Sequence, residues 1–196
     1  MHTLELKQLS ALEKVFLTDN LAESLLKNVM HFGKILVTEP TNYKARAEIM
    51  WAGSLSHNGL MSCGTKDNGD WSTHKLEHEL SGMYDNVAHA EGLSILFPAW
   101  AKYVCQFNPS LFAKFAYNVM DVPTTTSFEQ AARVGINRVE KYFESIGMPT
   151  RLSQLSITPK FFDDMANKAT NNNQTPVDGI KKLYKEDIIE IFKLAK

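Results

Sequence analysis

Histidine is the residue type in this sequence best placed to do chemistry. His74 and His78 stand four apart in the helix-like run HKLEHELSGM, and His89 follows the short break YDNVA. Residues four apart on a helix share a face, so the first two imidazoles can meet one object. A turn at YDN folds the next run back and brings the third ring toward them. Imidazole nitrogen suits a divalent transition metal, although an i, i+4 histidine pair also occurs on plain exposed helices. Glu77, Glu79, Asp85 and Glu91 lie close by and can orient the rings from behind, or can form a solvated face. Of the six histidines, His31 reads as an ordinary surface or core residue. Cys63 and Cys105 fit no metal or redox spacing and read as reduced, buried thiols.

The elements that must position these side chains read as helices throughout. Thr18, Asp19 or Asn20 can cap a helix whose apolar positions are Leu21, Leu25, Val29, Phe32 and Leu36, and Pro40 ends it. A second helix starts near Asn42, with Ala45, Ile49, Ala52 and Leu55 on one face. The glycine-rich SCGTKDNGDWS reads as a loop, after which Ser72 or Thr73 caps the histidine helix. The run from Val87 to Phe107 is helical, with Pro98 expected to kink or interrupt it. NPSLFAKFAYNVM carries proline in its first turn. SFEQAARVGINRVEKYFESIG has Ser127 as cap, Gly147 as stop, and a stripe of Ala131, Val134, Val139, Tyr142 and Phe143. Two shorter helices, TPKFFDDMANKAT and KEDIIEIFKLAK, flank the polar linker NNNQTPVDG, which reads as mobile. With no alternating run of strand length, the expectation is an all-α helical bundle: one domain over residues 1–196, of eight or so helices.

Composition excludes several partners. The 196 residues are 44% apolar and 22% charged, an ordinary globular mix. A net charge of −1 leaves no electrostatic footprint for nucleic acid or an anionic membrane. No apolar stretch is long enough to span a bilayer, and MHTLELKQLS lacks the features of a signal peptide. The expectation is a cytoplasmic protein.

The segment THKLEHELSGMYDNVAHAEGLSILFPAW closely resembles the metal-site segment of iron-containing (group III) alcohol dehydrogenases, above all their butanol-dehydrogenase-like branch. YKARAEIMWAGSLSHNGLMSCG resembles the same branch, as do LTDNLAESLLKNV and the KEDIIEIFKLA tail more weakly, so the likeness runs from about Leu17 to the end. The resemblance implies an NAD(P)-dependent enzyme interconverting small alcohols and aldehydes. In such enzymes an N-terminal α/β domain binds NAD(P), and a C-terminal all-helical domain carries Fe2+, sometimes Zn2+, in the cleft between them. It further implies that His74 and His89 are metal ligands, while His78 stands beside the substrate and acts in catalysis without being a primary ligand. MHTLE is similar to the family's ligand helix, which makes His2 a further ligand and puts its aspartate partner before Met1. Between His74 and His89 the spacing is one residue longer than is usual in the family, an insertion in the turn around Asp85 to Ala88.

No strand–glycine-rich-loop–helix unit occurs in this sequence, so nothing in it is built to hold the cofactor's pyrophosphate. The nucleotide-binding domain is therefore expected to be absent, and the isolated chain to be an inactive, truncated part of the enzyme with weakened metal binding. An exposed apolar face would then invite a homodimer. Trp51, Trp71 and Phe97 are candidates for a wall favouring short alkyl substrates, and equally for plain core packing. The alternative is a free-standing helical metal-binding or interaction module without dehydrogenase activity.

Overall fold

Eight α-helices make up the computed structural model among its described residues, 16–64 and 69–196. In chain order they are α1 (Phe16–Thr38), α2 (Tyr43–His57), α3 (Ser72–Met83), α4 (His89–Val104), α5 (Pro109–Asn118), α6 (Phe128–Ser145), α7 (Phe162–Ala169) and α8 (Lys185–Leu194). Short 3-10 turns join several of them, and the described residues form no strand beyond an isolated antiparallel bridge between Val177 and Leu183. The all-α expectation holds.

Local chemistry sets many of the boundaries. Asn42 caps α2 by accepting from the Ala45 N–H at 3.0 Å. Asn108 does the same for α5 from Leu111 at 3.3 Å, with Pro109 in the first turn where a missing N–H costs nothing. Ser127 caps α6 by accepting from Gln130 at 3.4 Å. That helix stops at Gly147, whose φ of 79° suits glycine, and the Met148 N–H reaches back to the Phe143 carbonyl at 3.0 Å.

Three local expectations need correction. Thr18, Asp19 and Asn20 are no caps: all three lie within α1, where Thr18 is buried and its hydroxyl donates to the Cys63 carbonyl at 3.0 Å. The helix α4 is not interrupted at Pro98, and its residues from Gly92 to Ala101 are all buried, so packing holds both flanking turns helical. The linker at 171–179 is anchored rather than loose. Asn171, Asn172 and Asn173 take left-handed φ values of 47°, 54° and 64°, tolerable for asparagine. Val177 and Leu183 then exchange two backbone hydrogen bonds at 2.9 Å and are both fully buried.

The core sits mainly in α3 to α8, around Leu76, Leu80, Trp100, Phe112, Met165 and Phe192. A small second cluster, Leu25, Ala52 and Met61, holds α1 against α2. The hairpin of α1 and α2 is joined to the rest by Lys114 to Asp19 at 2.7 Å, by Asn118 to Glu23 at 2.8 Å, and by Leu26 and Met30 packed on the main core.

The helices α5 and α6 pack closely at Gly135. A Cβ at Gly135 would stand 2.6 Å from the Ala116 Cβ and 3.0 Å from its Cα, so the contact is against backbone that cannot swing away. Overpacking costs about 1–3 kcal/mol, while replacing a mid-helix glycine by alanine returns about 1 kcal/mol. Gly135→Ala should therefore destabilise by up to about 2 kcal/mol. At Gly53 in α2 nothing lies within 4 Å of the added Cβ, so Gly53→Ala should stabilise by about 0.5–1 kcal/mol. Urea unfolding of the two variants should shift in opposite directions; shifts of the same sign would refute the assigned contact.

Candidate metal centre

The hairpin formed by α3 and α4 carries the three clustered histidines. Leu76 and Leu80 turn one face of α3 into the core, both fully buried, which directs His74, Glu77 and His78 toward α4. At the end of α3 the Tyr84 N–H bonds the Leu80 carbonyl and the Val87 N–H bonds the Tyr84 carbonyl, each at 3.0 Å. The Val87 side chain is buried beneath that turn. This turn delivers His89 as the first residue of α4.

The three imidazoles converge. Ring centroids lie 5.4 Å apart for His74 and His89, 5.5 Å for His78 and His89, and 6.3 Å for His74 and His78. Exposure is graded: His74 is buried, His89 half-buried and His78 exposed, so the cluster has a floor and a mouth. Trp71, itself 43% exposed, sets its indole edge-on to His74 at 5.0 Å and forms one side of that mouth.

Glu77 lies at the bottom, fully buried, and its Oε2 pairs with Nδ1 of His89. Among the described residues its Oε1 makes no hydrogen bond. Donor atoms of Glu77, His78 and His89 all lie within 4.8 Å of one another, a carboxylate-and-imidazole set suited to a divalent transition metal. The other acidic neighbours do different things. Glu91 accepts from the Ala88 N–H at 3.2 Å and closes the start of α4, and Asp85 is exposed in the turn.

Other expected site residues fall elsewhere. His2 lies outside the described residues. Trp51 is 63% exposed on α2 and, among the described residues, makes no ring contact with a histidine. Phe97 is core, stacked at 5.7 Å from Trp100. Cys63 is exposed, contrary to expectation, because it follows the 3-10 turn Leu60–Ser62 on the surface; Cys105 is buried, and burial pushes its thiol pKa up. A cavity of about 410 Å³, lined by Lys102, Cys105, Arg133 and Ile136 among others, opens beyond the end of α4, and no histidine lines it.

Two supporting residues escape a reading by local pattern. Gly92 on α4 faces Glu77: a Cβ there would come within 2.7 Å of the Glu77 Cγ and Oε1. Asp70, just before α3, is buried and accepts from the Ser72 N–H at 2.8 Å and from the distant Ile180 N–H at 2.7 Å. The sequence signal for Asp70 is an aspartate two residues ahead of a helix start; Gly92 gives none.

The chain is similar over nearly its whole length to known proteins. The family model described as Fe-containing alcohol dehydrogenase family, C-terminal, matches residues 1–196. NADH-dependent butanol dehydrogenase A of Clostridium acetobutylicum is 36% identical over 193 residues, covering 98% of this chain and 49% of that protein. The crystal structure of NADH-dependent butanol dehydrogenase A from Thermotoga maritima superposes with a TM-score of 0.85 at 30% identity, over 92% of this chain and 46% of that one. The aldehyde reductase of Escherichia coli in its substrate- and cofactor-free form gives 0.86 at 26% identity, over 97% and 48%. The chain thus spans about half the length of the relatives it matches. No helix among the described residues is long and apolar enough to cross a membrane.

Proposed function

The chain belongs to the iron-containing alcohol dehydrogenase family, and from that membership we propose that it is the metal-carrying helical domain of an enzyme interconverting small alcohols and aldehydes. The observation that supports this most directly is the convergence of His74, His78 and His89, with a buried carboxylate behind His89. Imidazoles backed by a carboxylate fit Fe2+ or Zn2+.

In this reading His74 and His89 hold the metal together with His2. When bound, the metal supplies Lewis acidity to an alcohol or aldehyde oxygen. His78, the exposed ring of the three, passes a proton between that oxygen and solvent, a task suited to an imidazole near neutral pH. Trp71 at the mouth shields the reacting carbon from water and offers an apolar wall to a short alkyl chain. Hydride transfer needs NAD(P), and among the described residues there is no strand and glycine-loop unit to hold its pyrophosphate. The nicotinamide is therefore supplied by a separate nucleotide-binding domain, and the chain by itself turns over no alcohol.

Elemental analysis of the purified chain beside His74→Ala tests the reading. The expected result is iron or zinc approaching one per chain, largely lost in the variant, with helical circular dichroism unchanged. A folded chain that takes up neither metal, or a His74→Ala variant that keeps its full complement, would overturn it in favour of a helical interaction module.

A further inference from the structure

We infer that Glu77 and Gly92 act together as a positioning pair that commits His89 to a single tautomer, with Nε2 as its metal-binding nitrogen. The inference rests on the metal-site reading above and goes one layer behind it.

Glu77 has no solvent exposure, and Oε2 is bonded to Nδ1 of His89. With Glu77 ionised its oxygens only accept hydrogen bonds, and this contact then places the proton of the neutral ring on Nδ1. The lone pair is then on Nε2. Without such a partner a neutral histidine exchanges between tautomers, and a metal captures only the fraction with the correct nitrogen deprotonated.

The carboxylate is also costly to keep. Its Oε1 is buried with no hydrogen bond among the described residues, and no lysine or arginine among those residues pairs with it. A buried anion with so little compensation destabilises a fold unless positive charge sits nearby. A dication on the far side of the His89 ring would supply that charge, which gives this glutamate a use that a packing residue would not have.

Gly92 makes the arrangement possible. Any side chain at position 92 would place its Cβ 2.7 Å from both Cγ and Oε1 of Glu77, and 3.1 Å from Cδ. Only glycine on α4 leaves room for a glutamate at this height on α3. Glu77 is not itself assigned as a ligand, although its donor atoms fall within 4.8 Å of those of His78 and His89. Its Oε2 is already committed to His89, and it lies at the closed end of the cluster, whereas His78 lies at the mouth.

The test uses the full chain, Zn2+ alone as probe, and the variants Glu77→Gln, Glu77→Asp, Gly92→Ala and His74→Ala. Long-range 15N–1H spectra of the metal-free chain at mildly alkaline pH read the His89 tautomer directly. The expected result is a ring protonated on Nδ1 in the parent chain and a mixed or reversed tautomer in Glu77→Gln. Zinc affinity should fall by about 10–100-fold in Glu77→Gln and in Gly92→Ala, with partial recovery in Glu77→Asp. A parent His89 protonated on Nε2 overturns the inference. So does an unchanged affinity in Glu77→Gln while His74→Ala abolishes binding, a result that would leave the metal site itself intact. If the parent chain binds no zinc, the metal reading fails, and the tautomer spectra still decide whether Glu77 sets the ring.

Discussion

Replacing Asp70 by alanine should lower the unfolding free energy by about 3 kcal/mol, measured as a shift in urea midpoint at constant slope. The carboxylate is 3% exposed and accepts from two backbone donors, Ser72 N–H at 2.8 Å and Ile180 N–H at 2.7 Å. Hydrogen bonds to a charged group contribute about 1.5–3 kcal/mol each, and truncation leaves both donors without their acceptor. The lower end of the sum applies because a cavity of this size admits water. The negative charge also sits at the first turn of α3, where the exposed N–H groups favour an anion. Around it the fit is tight: a Cβ at Gly179 would lie 2.4 Å from both Asp70 Oδ2 and Ser72 Oγ. Asp70→Asn, which keeps one good acceptor, should lose about half as much. A loss below about 1 kcal/mol in the alanine variant would show that the staple to Ile180 is dispensable.

Glu140→Gln should cost about 2 kcal/mol at neutral pH and flatten the acid limb of the stability curve. Glu140 is 7% exposed and binds Lys102 Nζ at 2.6 Å and the Arg151 guanidinium on its other oxygen. Breaking a buried pair typically costs about 3–5 kcal/mol. Here Lys102 and Arg151 are 29% and 39% exposed, so they rehydrate and the loss is smaller. Burial pushes the Glu140 carboxyl upward, but the hydrogen bonds and charges of Lys102 and Arg151 outweigh it and hold the carboxyl below the usual glutamate value. Asp187 behaves alike: burial raises it, while Lys181 and the Tyr103 hydroxyl bring it down further. A carboxyl depressed in the folded state contributes stability that is fully present above the unfolded value, about 4.3 for glutamate. That contribution is lost as pH falls through the folded value. Urea midpoints should therefore drop steeply below about pH 4 in the parent chain and less steeply in Glu140→Gln. Parallel acid limbs would remove Glu140 as the cause.

What the sequence makes legible here is whatever is encoded within a few residues. Asn42, Ser127, Pro109 and Gly147 each act on the helix end next to them, and each does so in the structure. The apolar faces of α2 and α6 follow the same rule: Ala45, Ala52, Val139 and Tyr142 are buried as the helical period requires. The histidine cluster is legible for the same reason, since His74 and His78 share a helix and one tight turn separates them from His89. Thr18, the linker and Gly92 are not legible, because their partners are remote. Thr18 bonds a carbonyl 45 residues away, and Asp70 bonds an N–H 110 residues away. Polarity and asparagine content suggest a loose linker, yet Val177 and Leu183 within and beside it are fully buried. Gly92 answers to a side chain on another helix, and no helical or turn pattern records that. Pro98 shows the same limit from the other side, as tertiary packing overrides a strong local signal.

The sequence distances of these contacts also set an order of assembly. Glu77 and His89 are 12 residues apart, whereas Asp70 and Ile180 are 110 apart. Loop-closure entropy grows as the logarithm of length, so the longer closure costs about 2 kcal/mol more. The α3–α4 hairpin can therefore form while the C-terminal linker is still searching, and the imidazoles can meet before the chain has closed over them. Folding of such a chain would begin from neighbours in sequence, with the imidazole cluster among the first long side chains to be gathered.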